Sequence, residues 1–372
     1  MIYKVAIIGA GLIGKKRAVV LNKDKDCHLK VIADVNLNAA EGLAREFGGD
    51  TESEWRNIIR RKDIDIVVVA TINKFLAPIS IAALSSCKHV LCEKPLGRDA
   101  RESQAIINAS EKNNVILKTG FNHRHHPAIR KAKKLVNDGE IGEIYYIRCL
   151  YGHGGRPGYE KEWRANKDLC GGGELLDQGV HVVDLFRWFL GEFNEVFGHI
   201  NTFYWDMEVE DNAFAMFKTK SSKVAVMHTS WTQWKNKFLF EAFGEKGYLI
   251  VDGLGGSYGE ERLIIGKRKM LDVRSKMKSI DSKLEDEYHK SKTRIRISDI
   301  GNQPQYVGGA PDEEVIQFPG PDTSWTEEWK EFVSAIKENR EPLGSGYDGL
   351  MANKMIDAVY RSAKLNKPVK IS

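Results

Sequence analysis

The first third of the chain alternates between two hydrophobic periods. Apolar, β-branched runs at YKVAIIG, HLKVIAD, DIVVVAT, KHVLCE and VILKTG read as short buried strands. Between them, LIGKKRAVVLN, NAAEGLAREFG, APISIAALSS and ARESQAIINASEKN carry the longer period of amphipathic helices. Strands that alternate with helices predict βαβ units and a parallel sheet. Strands apolar on both faces predict helices on both sides.

The pattern changes past about Gly120. PAIRKAKKLVNDG reads as a helix, EIYYIRCLYG as a strand, and ELLDQGVHVVDLFRWFLG as one long helix after a glycine triplet. From about Glu192 to Ile265, apolar strands follow one another across short polar turns, which predicts a large antiparallel sheet. Residues 267–310 are charged and aperiodic, and read as a solvated surface excursion, with phosphate contact to a substrate as the lesser alternative. Two late helices, SWTEEWKEFVSAIKEN and YDGLMANKMIDAVYRSAKLN, close the chain. Trp325 and Trp329 share one face of the first and read as packing. The expected class is α/β, with a nucleotide-type parallel domain over 1–121 and an α+β domain over 122–372. The latter carries a large, mostly antiparallel open sheet, and the helix at about 346–366 can pack back on the first domain.

A length of 372 residues fits two such domains. The formal charge of +5, from 56 basic and 51 acidic residues, suits an anionic small molecule but is no nucleic-acid footprint. Five scattered cysteines without a CxxC pair point to reduced thiols in a cytoplasm. The apolar start VAIIGAGLIG is broken by glycines and lacks a cleavage pattern, and no apolar run reaches 18 residues, so no leader and no membrane span are expected.

Chemistry concentrates at three places. The first is GAGLIG, where Gly9, Gly11 and Gly14 follow the first strand and open the first helix. Gly9 permits a tight turn, Gly11 lets a diphosphate approach the backbone, and Gly14 lets helix and sheet pack closely. The N–H groups at the helix start, at Leu12 and Ile13, face that diphosphate, where the helix dipole also favours negative charge. Asp34, at the end of the second strand, is placed to accept hydrogen bonds from both ribose hydroxyls and to repel a 2′-phosphate. NAD is therefore favoured over NADP.

The second place is KHVLCEKPLG. In open α/β sheets, ligands bind beyond the carboxyl ends of the strands. Lys94 stands there, where an ammonium can stabilise a developing alkoxide. An exposed Glu93–Lys94 ion pair explains the tripeptide alone equally well.

The third place is GGGELLDQGVHVVDLFRWFLG, where Asp177 and His181 lie four apart on one predicted face. A histidine near neutrality is the usual general base for alcohol oxidation, with Asp177 positioning it or contacting a sugar hydroxyl. On spacing alone a satisfied core histidine explains the motif better. The glycine triplet shifts that weighting by letting the helix start approach a ligand.

Taken together, GAGLIG, CEKPLG, FNHRHHP, EWR and GGGELLDQGVHVVDLFRWFLG resemble the Gfo/Idh/MocA oxidoreductase family across nearly the whole chain. The resemblance implies a Rossmann domain followed by an α/β domain whose open sheet often builds oligomers, here a homodimer or homotetramer. It implies Lys94, Asp177 and His181 as the catalytic set and a ring alcohol of a sugar, inositol or nucleotide sugar as substrate. By the same resemblance, Thr71, Asn73, Glu93, Lys94, Asn122, Trp163 and Arg164 border the cofactor. Lys94, Arg124, His153, Arg156, Trp163, Asp177 and His181 border the substrate. Two departures stand out: Ile72 and Leu76 replace a proline and a histidine usual after the third strand, and His125 replaces an aromatic residue. The alternate histidines His123, His125 and His126 fit zinc poorly, so no metal is expected. Two rival functions share the fold: an NAD-dependent glycosidase without net redox change, and a non-catalytic dinucleotide sensor.

Overall fold

The computed structural model describes residues 2–268 and 312–371, so most of the charged segment 267–310 lies outside the described residues. The first sheet comprises β1 (Tyr3–Ile8), β2 (Cys27–Ala33), β3 (Asp50–Glu52), β4 (Ile66–Val69), β5 (His89–Cys92) and β6 (Leu117–Thr119). All its pairings are parallel, in the order β3-β2-β1-β4-β5-β6. The helices α1 (Leu12–Leu21), α2 (Leu37–Phe47), α3 (Trp55–Arg60), α4 (Asn73–Ser85) and α5 (Ala100–Asn113) alternate with the strands. Successive strand residues point to opposite faces. Ala6, Ile8, Val67 and Val69 accordingly join one core cluster, and Val5, Ile7, Ile66 and Val68 join another. Strand order reverses between β1 and β4, which opens a crevice at the carboxyl ends of those strands. The sequence pattern gave no sign of β3 or α3, because β3 is a three-residue edge strand with no buried residue.

After β6 come α6 (Pro127–Asn137), β7 (Ile144–Gly152), α7 (Lys167–Cys170), α8 (Glu174–Asp177) and α9 (Gly179–Leu190). The predicted long helix is thus two helices, broken at Gln178. Gly179 is a poor helix former at the break, and the His181 N–H reaches only to the Gln178 carbonyl in a tight turn.

The second sheet adds β8 (Phe193–Asn201), β9 (Asn212–Thr219), β10 (Val224–Ser230), β11 (Lys237–Gly244), β12 (Gly247–Asp252), β13 (Glu261–Lys267), β14 (Asp312–Phe318) and β15 (Val369–Lys370). Its order is β14-β13-β12-β11-β7-β10-β9-β8-β15. The expected antiparallel pairing holds except between β7 and β10, which run parallel. β7 enters the middle of the sheet after a helical excursion, so a crossover replaces a hairpin there. One face packs on α9 through Val182, Phe186 and Phe189. The other leaves Phe214 and Met216 exposed.

The last two helices tie the sheets together. Trp329, Phe332 and Val333 of α10 (Ser324–Glu338) join the core around β1 and β2. In α11 (Gly346–Leu365), the buried Asn353 amide donates to the Leu96 and Gly97 carbonyls, just past Lys94. Met355 and Val359 of the same helix pack in the core of the second sheet.

The glycine motif is under the tightest steric constraint. A Cβ on Gly14 would collide with the Gly9 carbonyl, and one on Gly9, which has φ +108°, would strike the Ala70 carbonyl. Gly14→Ala is therefore expected to push α1 off β1, costing about 1–3 kcal/mol as overpacking and weakening NADH binding. Denaturant unfolding and NADH titration check both.

Candidate active site

The crevice wall begins where β1 meets α1. Gly11 caps α1 without a side chain, and open space surrounds its Cα. The first turn of α1, which includes Leu12 and Ile13, carries no acidic residue. Leu12 is exposed and Ile13 half-buried. Asp34 lies just past β2, and its carboxylate accepts from the Ala10 N–H at 2.7 Å and the Asn36 N–H at 2.8 Å. These bonds fix the carboxylate beside the glycine turn. An open glycine, free N–H groups and an anchored acid form a cradle that fits a dinucleotide. On the opposite wall, Thr71 lies just past β4, and the buried Asn73 amide donates to the Cys170 carbonyl at 2.8 Å. Leu76, at the departure from the family pattern, is fully buried in the sheet core.

Glu93 and Lys94 leave β5 in opposite directions. Glu93 turns inward and meets Arg17 at 2.6 Å, and Arg17 meets Glu328 at 2.7 Å on its other side. All three are nearly or completely inaccessible to solvent. Lys94 turns into the crevice, followed by a cis bond to Pro95. Its ammonium donates to the Asp177 carboxylate and the Asp177 carbonyl, both at 2.7 Å. This contact joins the end of β5 to the end of α8. The exposed-pair reading of Glu93–Lys94 fails, since Glu93 pairs with the buried Arg17 and Lys94 with Asp177.

Asp177 was expected to orient His181 or to contact a sugar hydroxyl. In the structure its second oxygen accepts from the Arg164 guanidinium at 3.2 Å, and its charge also acts on His181. Burial disfavours its charge, but the cations of Lys94 and Arg164 outweigh burial and hold its carboxyl well below the usual range. The aspartate therefore positions Lys94, and the helix break after it explains why: Asp177 and His181 do not share one continuous helix.

His181 is 4% exposed and stacks on His123, with ring centroids 3.7 Å apart and planes 13° apart. Its Nδ1 is buried without a hydrogen-bond partner. Burial first, and the Lys94 charge second, depress its pKa well below the ordinary value. The imidazole is therefore neutral at physiological pH, with a buried Nδ1 that has no partner among the described residues. His123 is itself held by Tyr151, whose hydroxyl lies 3.1 Å from Nε2, and by Asn122 at 3.2 Å from Nδ1. Burial first, and then the closeness of a second titratable ring at His181, push its pKa well below the ordinary value too.

The remaining candidates divide. His153 and Trp163 are half-buried beside this group, and the charges of Asp177 and Lys94 act on His153. Arg164 lies over the Trp163 ring at 4.5 Å. Arg156 is exposed and bound to Glu162 at 2.7 Å. Arg124 is taken out of the substrate set: it is 2% exposed and committed to Asp184 at 2.6 Å and Asp348 at 3.1 Å, joining α9 to α11. Asn122 spends its amide on Ser324. His126 binds Glu261, and among the described residues no group of His, Cys, Asp and Glu is arranged to hold a metal.

Sequence reasoning gave His123 no role beyond a doubtful metal triplet, and passed over Glu174. The Glu174 carboxyl is fully buried, with neither oxygen hydrogen-bonded, and burial followed by the Asp177 charge raises its pKa well above the ordinary value. Its place directly after the glycine triplet was the available signal.

Comparison with known proteins identifies the family of both halves of the chain. Residues 3–121 match the oxidoreductase family NAD-binding Rossmann fold, and residues 129–250 match the GFO/IDH/MocA C-terminal domain. Levoglucosan dehydrogenase of Pseudarthrobacter phenanthrenivorans is 40% identical over 176 residues, which span 46% of this chain and 45% of that protein. Myo-inositol 2-dehydrogenase of Thermotoga maritima is 25% identical over 376 positions, covering 99% of this chain and 98% of that one. A solved levoglucosan dehydrogenase in complex with NADH and levoglucosan superposes with a TM-score of 0.83 at 25% identity over the full length of both chains.

Proposed function

Because the chain belongs to the Gfo/Idh/MocA oxidoreductase family, we propose that it interconverts a ring secondary alcohol and ketone of a sugar, inositol or nucleotide sugar, using NAD. The carrying observation is the Lys94 ammonium, held at 2.7 Å by Asp177 beside a neutral, buried His181. A nicotinamide cofactor held over Gly9, Gly11 and Asp34 would supply the hydride acceptor. His181 takes the hydroxyl proton as the alcohol is oxidised, and its stack on His123 keeps the ring plane fixed. The Lys94 ammonium holds the developing alkoxide, where a charge-assisted hydrogen bond is strongest at the transition state. Asp177 fixes that ammonium, and Arg164 in turn holds the other oxygen of Asp177.

Asp34 carries the cofactor preference. Its fixed carboxylate suits a ribose diol, and a 2′-phosphate would meet like charge. A second copy of the chain covering the exposed Phe214 and Met216 face gives the homodimer or homotetramer. The five unpaired cysteines suit a reducing, cytoplasmic setting. No helix among the described residues is long and apolar enough to cross a membrane.

The depressed pKa of His181 sets a pH profile. A base must be unprotonated, so kcat/KM for alcohol oxidation stays flat down through pH 6.5, the ordinary histidine value, and falls only below it. An acid limb centred at or above 6.5 would remove His181 from the role. The function itself is tested by a panel of free, phosphorylated and nucleotide-linked sugars and inositols, read as NADH absorbance. Net NADH accumulation with at least one member is expected. Turnover without accumulation indicates the glycosidase chemistry instead.

A further inference from the structure

The catalytic residues leave unexplained a group of exposed aromatic rings at the cleft margin. Phe203, Tyr204 and Trp234 are 63%, 64% and 65% exposed. Tyr204 meets Trp234 edge to face at 4.9 Å, and meets Trp205 in the same way at 5.2 Å. Leaving such rings in water is unfavourable, and clustered ones mark a binding surface.

The cluster is held rigidly. The buried Asp211 carboxylate accepts the backbone N–H groups of Phe203, Tyr204 and Trp205 at 2.8, 2.8 and 3.1 Å. The Trp205 indole donates to the Trp231 carbonyl at 2.9 Å and packs on Tyr159. The loop that presents the rings therefore has little conformational entropy left to lose on binding.

The cluster also abuts the catalytic group. A side chain on Gly154 would touch the Trp234 ring, and one on Gly155 would strike Trp205. His153, the next residue along, feels the charges of Asp177 and Lys94. Trp205 also packs in one hydrophobic cluster with Trp163, whose ring lies under Arg164 at 4.5 Å, and Arg164 binds Asp177 at 3.2 Å. Asp206, Lys235 and Asn236 are exposed around them and supply hydrogen-bonding groups for hydroxyls.

We propose that these rings form a second carbohydrate subsite, which stacks the non-reacting ring of a glycoside or disaccharide while the first ring lies at Lys94 and His181. The proposal rests on the oxidoreductase reading of the catalytic site. Its basis is chemical: one face of a pyranose presents C–H groups, which an aromatic face desolvates, while the rim hydroxyls need polar partners. Apolar and polar groups of this kind lie together here, continuous with the cleft.

Calorimetry on the NADH complex with glucose, maltose, cellobiose and trehalose provides the test, with Trp234→Ala and Tyr204→Ala as variants. At least one disaccharide is expected to bind about tenfold more tightly than glucose, as about 1.4 kcal/mol of stacking would give. Each variant is expected to reduce that ratio severalfold without changing NADH affinity. Absence of any gain from the second ring overturns the proposal. So does an unchanged ratio in both variants, or a change of sedimenting mass in the variants, which would assign the rings to a second copy of the chain. Failure of the oxidoreductase reading looks different: no sugar yields NADH, whatever the calorimetry reports.

Discussion

Lys94→Met lowers turnover by about 10³–10⁴-fold while leaving NADH affinity close to that of the unsubstituted enzyme. Methionine keeps the unbranched stem and its packing but removes the ammonium. The interaction lost is one that strengthens as negative charge grows on the substrate oxygen, and the estimate combines one oxyanion donor with impaired proton transfer. The dinucleotide cradle is built on Gly9, Gly11 and Asp34, whereas the Lys94 ammonium bonds Asp177, so affinity is largely spared. The substitution also leaves Asp177 with Arg164 as its cation partner, so its carboxyl becomes easier to protonate. Stopped-flow turnover with fluorescence titration of NADH separates the two quantities. Turnover within tenfold of the parent would remove Lys94 from the chemistry.

The second large effect is on stability. Arg17→Met is expected to destabilise the protein by about 3–5 kcal/mol, because it removes the nearest cation from two buried carboxylates and leaves Glu328 with Lys118 at 3.9 Å. Arg17 is 1% exposed, with Glu93 at 2.6 Å and Glu328 at 2.7 Å. Burial already raises the Glu328 pKa in the intact protein, and the Glu93 charge adds to it. Without the guanidinium that pKa rises further. A carboxyl with a folded pKa above its unfolded value loses stability as pH climbs between the two. The deficit of the variant should therefore be larger at pH 8 than at pH 5. Urea unfolding at both pH values checks the size and the trend. A loss under 1 kcal/mol at pH 8 would show that the triad is not the buried network described.

This triad shows where the sequence was informative and where it was not. The hydrophobic periods located the main strands of both sheets and the glycine turn, because a βαβ unit writes its burial pattern locally. The short β3 and the break at Gln178 were not legible, since one lacks buried residues and the other depends on a turn inside an otherwise helical pattern. Glu93 and Lys94 were legible as functionally placed but not as divergent: their partners lie 76 and 83 residues away in sequence. The same limit applied to Arg124, whose partners Asp184 and Asp348 arrive from two distant helices and remove it from the cleft. His123 was visible only as one of several histidines, because stacking on His181 is a tertiary contact with no spacing signature.

The central claim is that the crevice between β5 and α9 brings a ring alcohol carbon into direct hydride exchange with the cofactor. Incubation with NAD and C-deuterated glucose, glucoside or inositol, followed by mass spectrometry and NMR of the reduced cofactor, addresses it most directly. Deuterium at the nicotinamide C4 position, accompanied by the sugar ketone, is the expected result. A sugar that turns over while its deuterium appears only in solvent, or a cofactor reduced without label, would contradict the mechanism.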